Sequence, residues 1–290
     1  MRRSREKQGE EEQPASRMRE LGLDDTEQQE VKERIRPGAV VLHEAIREEG
    51  ERELRRPASA LAWSGFASGL SMGFSLIAEG LIQASLPDQL WRPLLTKLGY
   101  TIGFLIVVLG RQQLFTENTL TAVLPLLNKR SVANLKRLLR LWLVVLVTNL
   151  IGGFVIAWVL GHTKVFQPEV QHAFAEISLK SLEGGFGIHF LRAIFAGWLI
   201  ALMVWLLPGA KSSEMGVIFF ITYLVGLGEL VHIIIGSVYV LYLVTTGAAS
   251  WGAYFGQFMI PTLLGNIVGG VSLVAALNYG QVAPQANRKS

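Results

Sequence analysis

The chain contains no cysteine. That excludes disulfides, thiolate catalysis and cysteine-ligated metals. It is also short of charge where most proteins carry it: from Trp251 to Asn287 there is no Asp, Glu, Lys, Arg or His. The first 56 residues, by contrast, are dense in Arg and Glu. A leader so charged is not a cleavable signal peptide. No metal-ligand spacing, nucleophile elbow or phosphate loop occurs, so neither an enzyme nor a bound cofactor or metal is expected. The pI near 9.4 could point to nucleic acid. The basic residues, however, flank apolar segments instead of forming an aromatic-interleaved patch, so membrane orientation accounts for them and no nucleic acid is expected.

What is abundant is apolar sequence, at 50% of 290 residues. Residues 1–36 alternate acids and bases with almost no apolar clustering, which predicts a disordered cytoplasmic tail. After the Pro37-Gly38 break, residues 37–56 place Val41, Leu42, Ala45 and Ile46 at helical spacing beside Glu44, Arg47, Glu48 and Arg52. This predicts an amphipathic helix on the membrane surface or against the bundle. Residues 57–280 form the membrane domain, and 281–290 a cytoplasmic C-terminal tail.

Six apolar spans are expected, at about 58–86, 94–127, 139–160, 190–207, 215–245 and 251–277, most of them long enough for a hydrocarbon core of roughly 30 Å. Gly65, Gly69 and Gly73 line one face of the first and permit close helix packing. Lys and Arg concentrate in the second–third joint (Lys129, Arg130, Lys136, Arg137, Arg140) and on the N-terminal flank (Arg52, Arg55, Arg56). Both termini are therefore expected to be cytoplasmic.

The third span contains Asn149-Leu150-Ile151-Gly152-Gly153 and the sixth Asn266-Ile267-Val268-Gly269-Gly270. The second and fifth spans carry polar interruptions near mid-length. An odd number of spans per repeat inverts the second half relative to the first. This predicts an all-α integral membrane protein with an inverted 3+3 repeat, its helices 2 and 5 broken and meeting at the midplane.

The first interruption is Arg111 to Asn118. Too few apolar residues follow it to cross a bilayer again, so it is read as a loop folded into the protein. Thr116 offers a rotatable hydroxyl, Leu114 and Phe115 are bulky enough to close a pore, and Asn118 adds a polar edge. The second interruption carries Glu229, His232, Gly236 and Ser237. Ionisable groups at membrane depth are expensive and mark pathways. Glu229 and His232, three apart, are expected to share a helix face, and a pore-lining pair is preferred to a pair that only packs helices.

With those residues in view, the chain resembles the formate–nitrite transporter family from about Val40 to Tyr279, as a divergent bacterial inner-membrane member. Leu114-Phe115-Thr116 with Asn118-Thr119-Leu120 is similar to its second-helix loop motif. Ile260 to Gly270 is similar to its sixth-helix motif, and Ala196-Gly197-Trp198 through Val204-Trp205 to its fourth helix. The family's usual string places Glu immediately before the histidine and Asn four residues after it. Here Glu229 lies three before His232, and Gly236-Ser237 stand in place of the Asn. The resemblance implies an aquaporin-like protomer, a homopentamer in the lipid bilayer, and passage of small monovalent anions or their conjugate acids. Thr116 would be the loop threonine and His232 the central histidine, whose unperturbed pKa near 6.5 makes such a site pH-sensitive. A channel for small neutral solutes is the competing reading, and the charged tail could also dock a cytoplasmic partner.

Overall fold

The computed structural model describes residues 21–22, 24–28, 37–277 and 280. The described residues fall into two units, one within 1–38 and the other within 39–290. In the first, Asp24 and Glu27 cap one another: Glu27 N donates to Asp24 Oδ1 at 2.8 Å and Asp24 N to Glu27 Oε2 at 3.0 Å, a reciprocal capping box. Most of the expected disordered tail (1–36) and all of the C-terminal tail (281–290) lie outside the described residues.

The second unit is built from helices throughout its described residues. It opens with α1 (Ala39–Arg55), which buries Ile46, Gly50 and Leu54, four residues apart, on one face. Its other face carries a Glu44–Arg47–Glu51–Arg55 chain of ion pairs. α2 (Ala58–Ser85) stops where Leu86 precedes Pro87, and Leu86 is extended at φ −112° and ψ 143°, the conformation proline imposes on the residue before it. The short α3 (Arg92–Thr96) leads into α4 (Tyr100–Leu109), and α5 (Val123–Asn128) follows after a gap. The Ser131 hydroxyl, accepting from Asn134 N at 3.2 Å, caps α6 (Val132–His162).

α7 (Pro168–Lys180) falls in a stretch expected to be a loop. It buries Val170, Ala173, Phe174 and Ile177, an i, i+3, i+4, i+7 stripe that explains why it folds. α8 (Gly185–Ala210), α9 (Glu214–Leu227), α10 (Ile233–Thr245) and α11 (Ile260–Leu277) complete the set, with a π-helical turn at Ala253–Met259 before α11.

Among the described residues, five helical stretches are long and apolar enough to cross a membrane: Ala58–Ser85, Arg92–Leu109, Val132–His162, Gly185–Ala210 and Ala253–Val274. α9 and α10 are apolar but too short to cross singly. α2 packs on α6 and α8 on α11 through matching glycines. A Cβ on Gly152 would strike Phe66 O in α2, and a Cβ on Gly269 would strike Ile194 O in α8. Backbone-to-backbone approach this close excludes any side chain at the contact. Large apolar residues such as Leu143, Phe195 and Phe220 face outward, as a protein surrounded by lipid or by other copies requires.

Candidate functional site

α4 and α9 end in the same way. Past Leu109, Gly110 N donates to Ile106 O and Gln112 N to Val107 O; past Leu227, Gly228 N donates to Leu224 O and Leu230 N to Val225 O. Between each pair of bonds sits a left-handed non-glycine residue, Arg111 at φ 49° and Glu229 at φ 50°. This is the turn that normally places glycine after a helix. Here it points two charged side chains away from the chain that follows. Arg111 meets Glu49 at 3.5 Å, and Glu229 meets Arg192 at 3.5 Å with its side chain 58% exposed. Glu229 and His232 therefore do not share a helix face. Residues 228–231 are non-helical, and the left-handed turn separates the two side chains.

Beyond each turn, one buried asparagine organises the next residues. Asn149 Oδ1 accepts from Phe115 N at 3.0 Å, while its Nδ2 donates to Gln113 O at 2.8 Å and Gly65 O at 2.7 Å. Asn266 Oδ1 accepts from Ile233 N at 2.8 Å, while its Nδ2 donates to Val231 O at 3.0 Å and Ala193 O at 2.8 Å. Each amide bridges the groups before and after one residue and anchors them to a neighbouring helix. Buried backbone outside a helix needs such partners. The bracketed residues are Leu114 and His232, which thus occupy equivalent positions in the two loops.

His232 is 1% exposed and serves as the N-cap of α10. Its Nδ1 accepts from Ile234 N at 3.2 Å, and its Nε2 lies 2.7 Å from Thr116 Oγ1. A ring nitrogen accepting an amide proton carries none itself, so the proton of the neutral ring sits on Nε2 and is donated to Thr116. The tautomer is thus assigned from the hydrogen-bond network, and the Thr116 hydroxyl proton is left free to donate elsewhere. Phe104 closes against the ring, centroid to centroid at 5.0 Å.

His232 lines a cavity of about 560 Å³ together with Val231, Ile235, Gly236, Tyr239, Tyr100 and Phe258, and with Glu229 and Arg192, whose side chains are 58% and 37% exposed. A side chain at Gly236 would collide with the Phe258 ring, which is why glycine stands there. Leu114 and Phe115 are buried outside this cavity, Phe115 edge-on to Trp142 at 5.7 Å. Asn118 Nδ2 donates to Gln113 Oε1 and Leu114 O, each at 3.1 Å, and so shapes the first loop. Ser237 accepts from the Tyr254 hydroxyl at 3.2 Å and lies off the cavity wall. No cluster of His, Asp or Glu able to hold a metal is found among the described residues.

Residues 40–280 match the family model for the formate/nitrite transporter. The chain belongs to that family. The inner membrane protein YfdC of Escherichia coli strain K12 is 44% identical over 257 residues, covering 89% of this chain and 83% of that protein. A probable formate transporter of Methanothermobacter thermautotrophicus is 28% identical over 238 residues, 74% of this chain and 85% of that one. Among solved structures, a pentameric formate channel with formate bound superposes with a TM-score of 0.66 at 22% identity, covering 77% of this chain and 96% of that one. The family is one of transporters, not enzymes.

Behind the cavity wall lies a group that the reading of the sequence does not single out. Glu79, fully buried in α2, pairs with Lys97 at 2.7 Å and accepts from the Tyr239 hydroxyl. Glu79 is the sole charged residue between Ala58 and Leu86, and a lone carboxylate in an apolar span is a signal for attention.

Proposed function

We propose that the chain is a multi-pass inner-membrane channel or transporter for small monovalent anions or their conjugate acids, with formate and nitrite as the first candidates. The observation that carries this is the 2.7 Å contact between Thr116 and His232. It joins the two non-helical loops directly behind the cavity wall that His232 forms. Six crossings are proposed, the second made of α3–α4 with α5 and the fifth of α9 with α10. In each half, one asparagine and a glycine pair support the loop (Asn149, Gly152 and Gly153; Asn266, Gly269 and Gly270). With the basic second–third joint inside, both termini are cytoplasmic. Residues 57–280 then form the pore domain and residues 37–56 a cytoplasmic-side helix. A homopentamer follows the assembly named for the matched formate channel.

Donors at the loop junction are few. The amides of Ile233 and Ile234 at the start of α10 are already engaged by Asn266 and His232. An anion arriving from the cavity meets the His232 ring in its wall and, once the ring turns, Nε2–H and the Thr116 hydroxyl buried behind it. Beyond them lie Leu114 and Phe115. Carrying a bare charge past such apolar side chains is costly, so the neutral acid is the form that crosses. Proton supply therefore governs flux. Asn118 and Ser237 act through the loop and α10 instead of touching the solute, and Glu229 with Arg192 stands at the cavity mouth.

The test is uptake of formate and nitrite into proteoliposomes at two pH values, wild type beside His232→Ala. Faster uptake at the lower pH and a loss of about tenfold or more in the variant are expected, the scale of one charge-assisted contact. Wild-type flux in His232→Ala, or permeation of neutral polyols equal to that of the weak acids, would overturn the reading.

A further inference from the structure

α6 turns more of its surface outward than the other long helices: 33% of its most apolar stretch lies inside the protein, the smallest share of the five. Its outward face carries Leu139, Leu143, Val147 and Ile151, all exposed and Leu143 the most open at 64%. Spaced by four, they form a ladder along one side of the helix. At the start of α6 the same side becomes cationic. Lys136 precedes Leu139 by three residues and Arg140 follows Lys136 by four, with Arg137 beside them, and all three are exposed. Lys129 is drawn back toward this turn, because Asn134 Nδ2 donates to the Lys129 carbonyl at 3.0 Å. Between Glu117 and Glu169 the chain has no Asp or Glu. Neither α6 nor the joint before it therefore carries an opposing charge.

One of these cations already has work to do. Arg140 donates to Leu54 O at 3.0 Å and to Arg56 O at 2.9 Å, which fastens the start of α6 to the joint between α1 and α2. Among the described residues, the side chains of Lys136 and Arg137 make no hydrogen bond or ion pair. The neighbouring α1 does not supply the missing acid. Four of its five acids are engaged: Glu44 and Glu51 with Arg47, Glu49 with Arg111 and Glu53 with Arg56. A second copy of the chain, presenting the same α1, would bring little negative charge to this face. A soluble polyanion would meet the cations and leave the leucine ladder uncovered. What complements both parts is an amphiphile with an anionic head and a hydrocarbon tail.

We propose that the start of α6 is a docking site for one anionic phospholipid of the cytoplasmic leaflet. Lys136 and Arg137 hold its phosphate, with Lys129 beside them, and an acyl chain lies along Leu139 and Leu143. The site uses the cytoplasmic placement of the second–third joint and is independent of what the pore carries. Lys and Arg at a membrane surface attract anionic headgroups, and the attraction falls off within a Debye length. The phosphate also offsets the mutual repulsion of the cations crowded into this turn. Arg140 ties the same turn to the α1–α2 joint, so the bound lipid steadies the contact between α6 and α1.

The experiment titrates the full chain, purified in an uncharged detergent at low salt, with phosphatidylglycerol or with phosphatidylcholine of the same acyl chains. Native mass spectrometry counts the lipid retained, and melting midpoints report the stabilisation. Wild type is expected to retain one phosphatidylglycerol per protomer and to melt higher with it than with phosphatidylcholine. Lys136→Gln and Arg137→Gln should each weaken that retention about fivefold, and the double variant about 25-fold. Both side chains are exposed, so the fold is expected to survive. The charge-conserving pair Lys136→Arg and Arg137→Lys should keep the lipid. Lys164→Gln, just past the other end of α6, should leave retention unchanged. Equal retention of the two lipids, undiminished retention in the double variant, or inorganic phosphate protecting as well as the lipid overturns the proposal. If the double variant keeps its lipid but changes the mass of the assembly, the face is a contact between copies and the lipid site is rejected.

Discussion

Asn149 and Asn266 make the same three hydrogen bonds in the two halves of the molecule. Each accepts from the amide after the bracketed residue, donates to the carbonyl before it, and donates to a carbonyl of the partner helix. The bracketed residues differ, Leu114 in one loop and His232 in the other. The backbone is therefore near-symmetric while its chemistry is not: one half presents an apolar side chain and the other an imidazole.

Replacing either asparagine tests the bracket. Asn149→Ala or Asn266→Ala removes three buried bonds and leaves one loop carbonyl and one loop amide without partners, the third acceptor being a helix carbonyl that keeps its intrahelical bond. Each orphaned group costs about 1–3 kcal/mol, so a loss of roughly 2 kcal/mol or more is expected for each variant. Thermal melting of the purified protein should show a large drop of similar size for both. Asn149→Asp should be no milder, because a carboxylate faces the carbonyls of Gly65 and Gln113 with no proton to donate.

The Thr116 contact predicts a graded series. Thr116→Ser keeps the hydroxyl and should keep most of the flux. Thr116→Val keeps the shape and removes the group that accepts from His232 Nε2, leaving a buried donor unpaired. A fall in formate uptake of about tenfold is expected, the equivalent of 1.4 kcal/mol in a transition-state barrier. The series is read as initial rates in proteoliposomes. Equal rates for Ser and Val would remove the hydroxyl from the mechanism.

Several parts of this arrangement could be read from residue order alone. The repeated Asn-x-x-Gly-Gly strings announced two loops held in the same way, because close packing and loop support need those residue types wherever they recur. The long apolar helices were legible for the same reason: length and hydropathy decide them locally. The helix face expected to carry Glu229 and His232 together is not there. Gly228 to Val231 lies in an apolar run that helical propensity alone would continue, and what stops it is Asn266, distant in sequence, taking the Ile233 amide and the Val231 carbonyl. α7 was overlooked although its stripe at Val170, Ala173, Phe174 and Ile177 is regular; it is too short to cross and was absorbed into a connection. Glu79 was passed over because its partners, Lys97 and Tyr239, come from separate segments that no local pattern joins to it.

The paired turns make a prediction about strain. Arg111 and Glu229 sit at φ 49° and 50°, where a β-carbon crowds the following carbonyl and costs about 1–2 kcal/mol. Arg111→Gly and Glu229→Gly should therefore fold at least as well as wild type, even though each gives up an exposed ion pair worth about 0–1 kcal/mol. Substitution by Val at either site, β-branched and poorly tolerated at positive φ, should destabilise by roughly 2 kcal/mol. Denaturation midpoints in one detergent would rank the variants Gly, wild type, Val.

Packing of the two halves yields the last test. Gly152 in α6 lies against the Phe66 carbonyl of α2, and Gly269 in α11 against the Ile194 carbonyl of α8. The nearest neighbour in each case is backbone, which cannot rotate aside as a side chain can. A methyl group at either site must push two long helices apart, and the adjacent asparagine, Asn149 or Asn266, is carried with its helix. Its bonds to the loop lengthen as a result. Gly152→Ala and Gly269→Ala should each destabilise the fold by about 1–3 kcal/mol, the usual cost of overpacking, and should lower flux beyond what that loss explains, because the Thr116–His232 contact is held through those same asparagines. By contrast Gly256→Ala, at a glycine with open space around it, should change neither quantity. Melting and uptake measured together on all three variants decide it: flux that survives in a destabilised Gly152→Ala protein would show that the loops keep their geometry without the close helix contact.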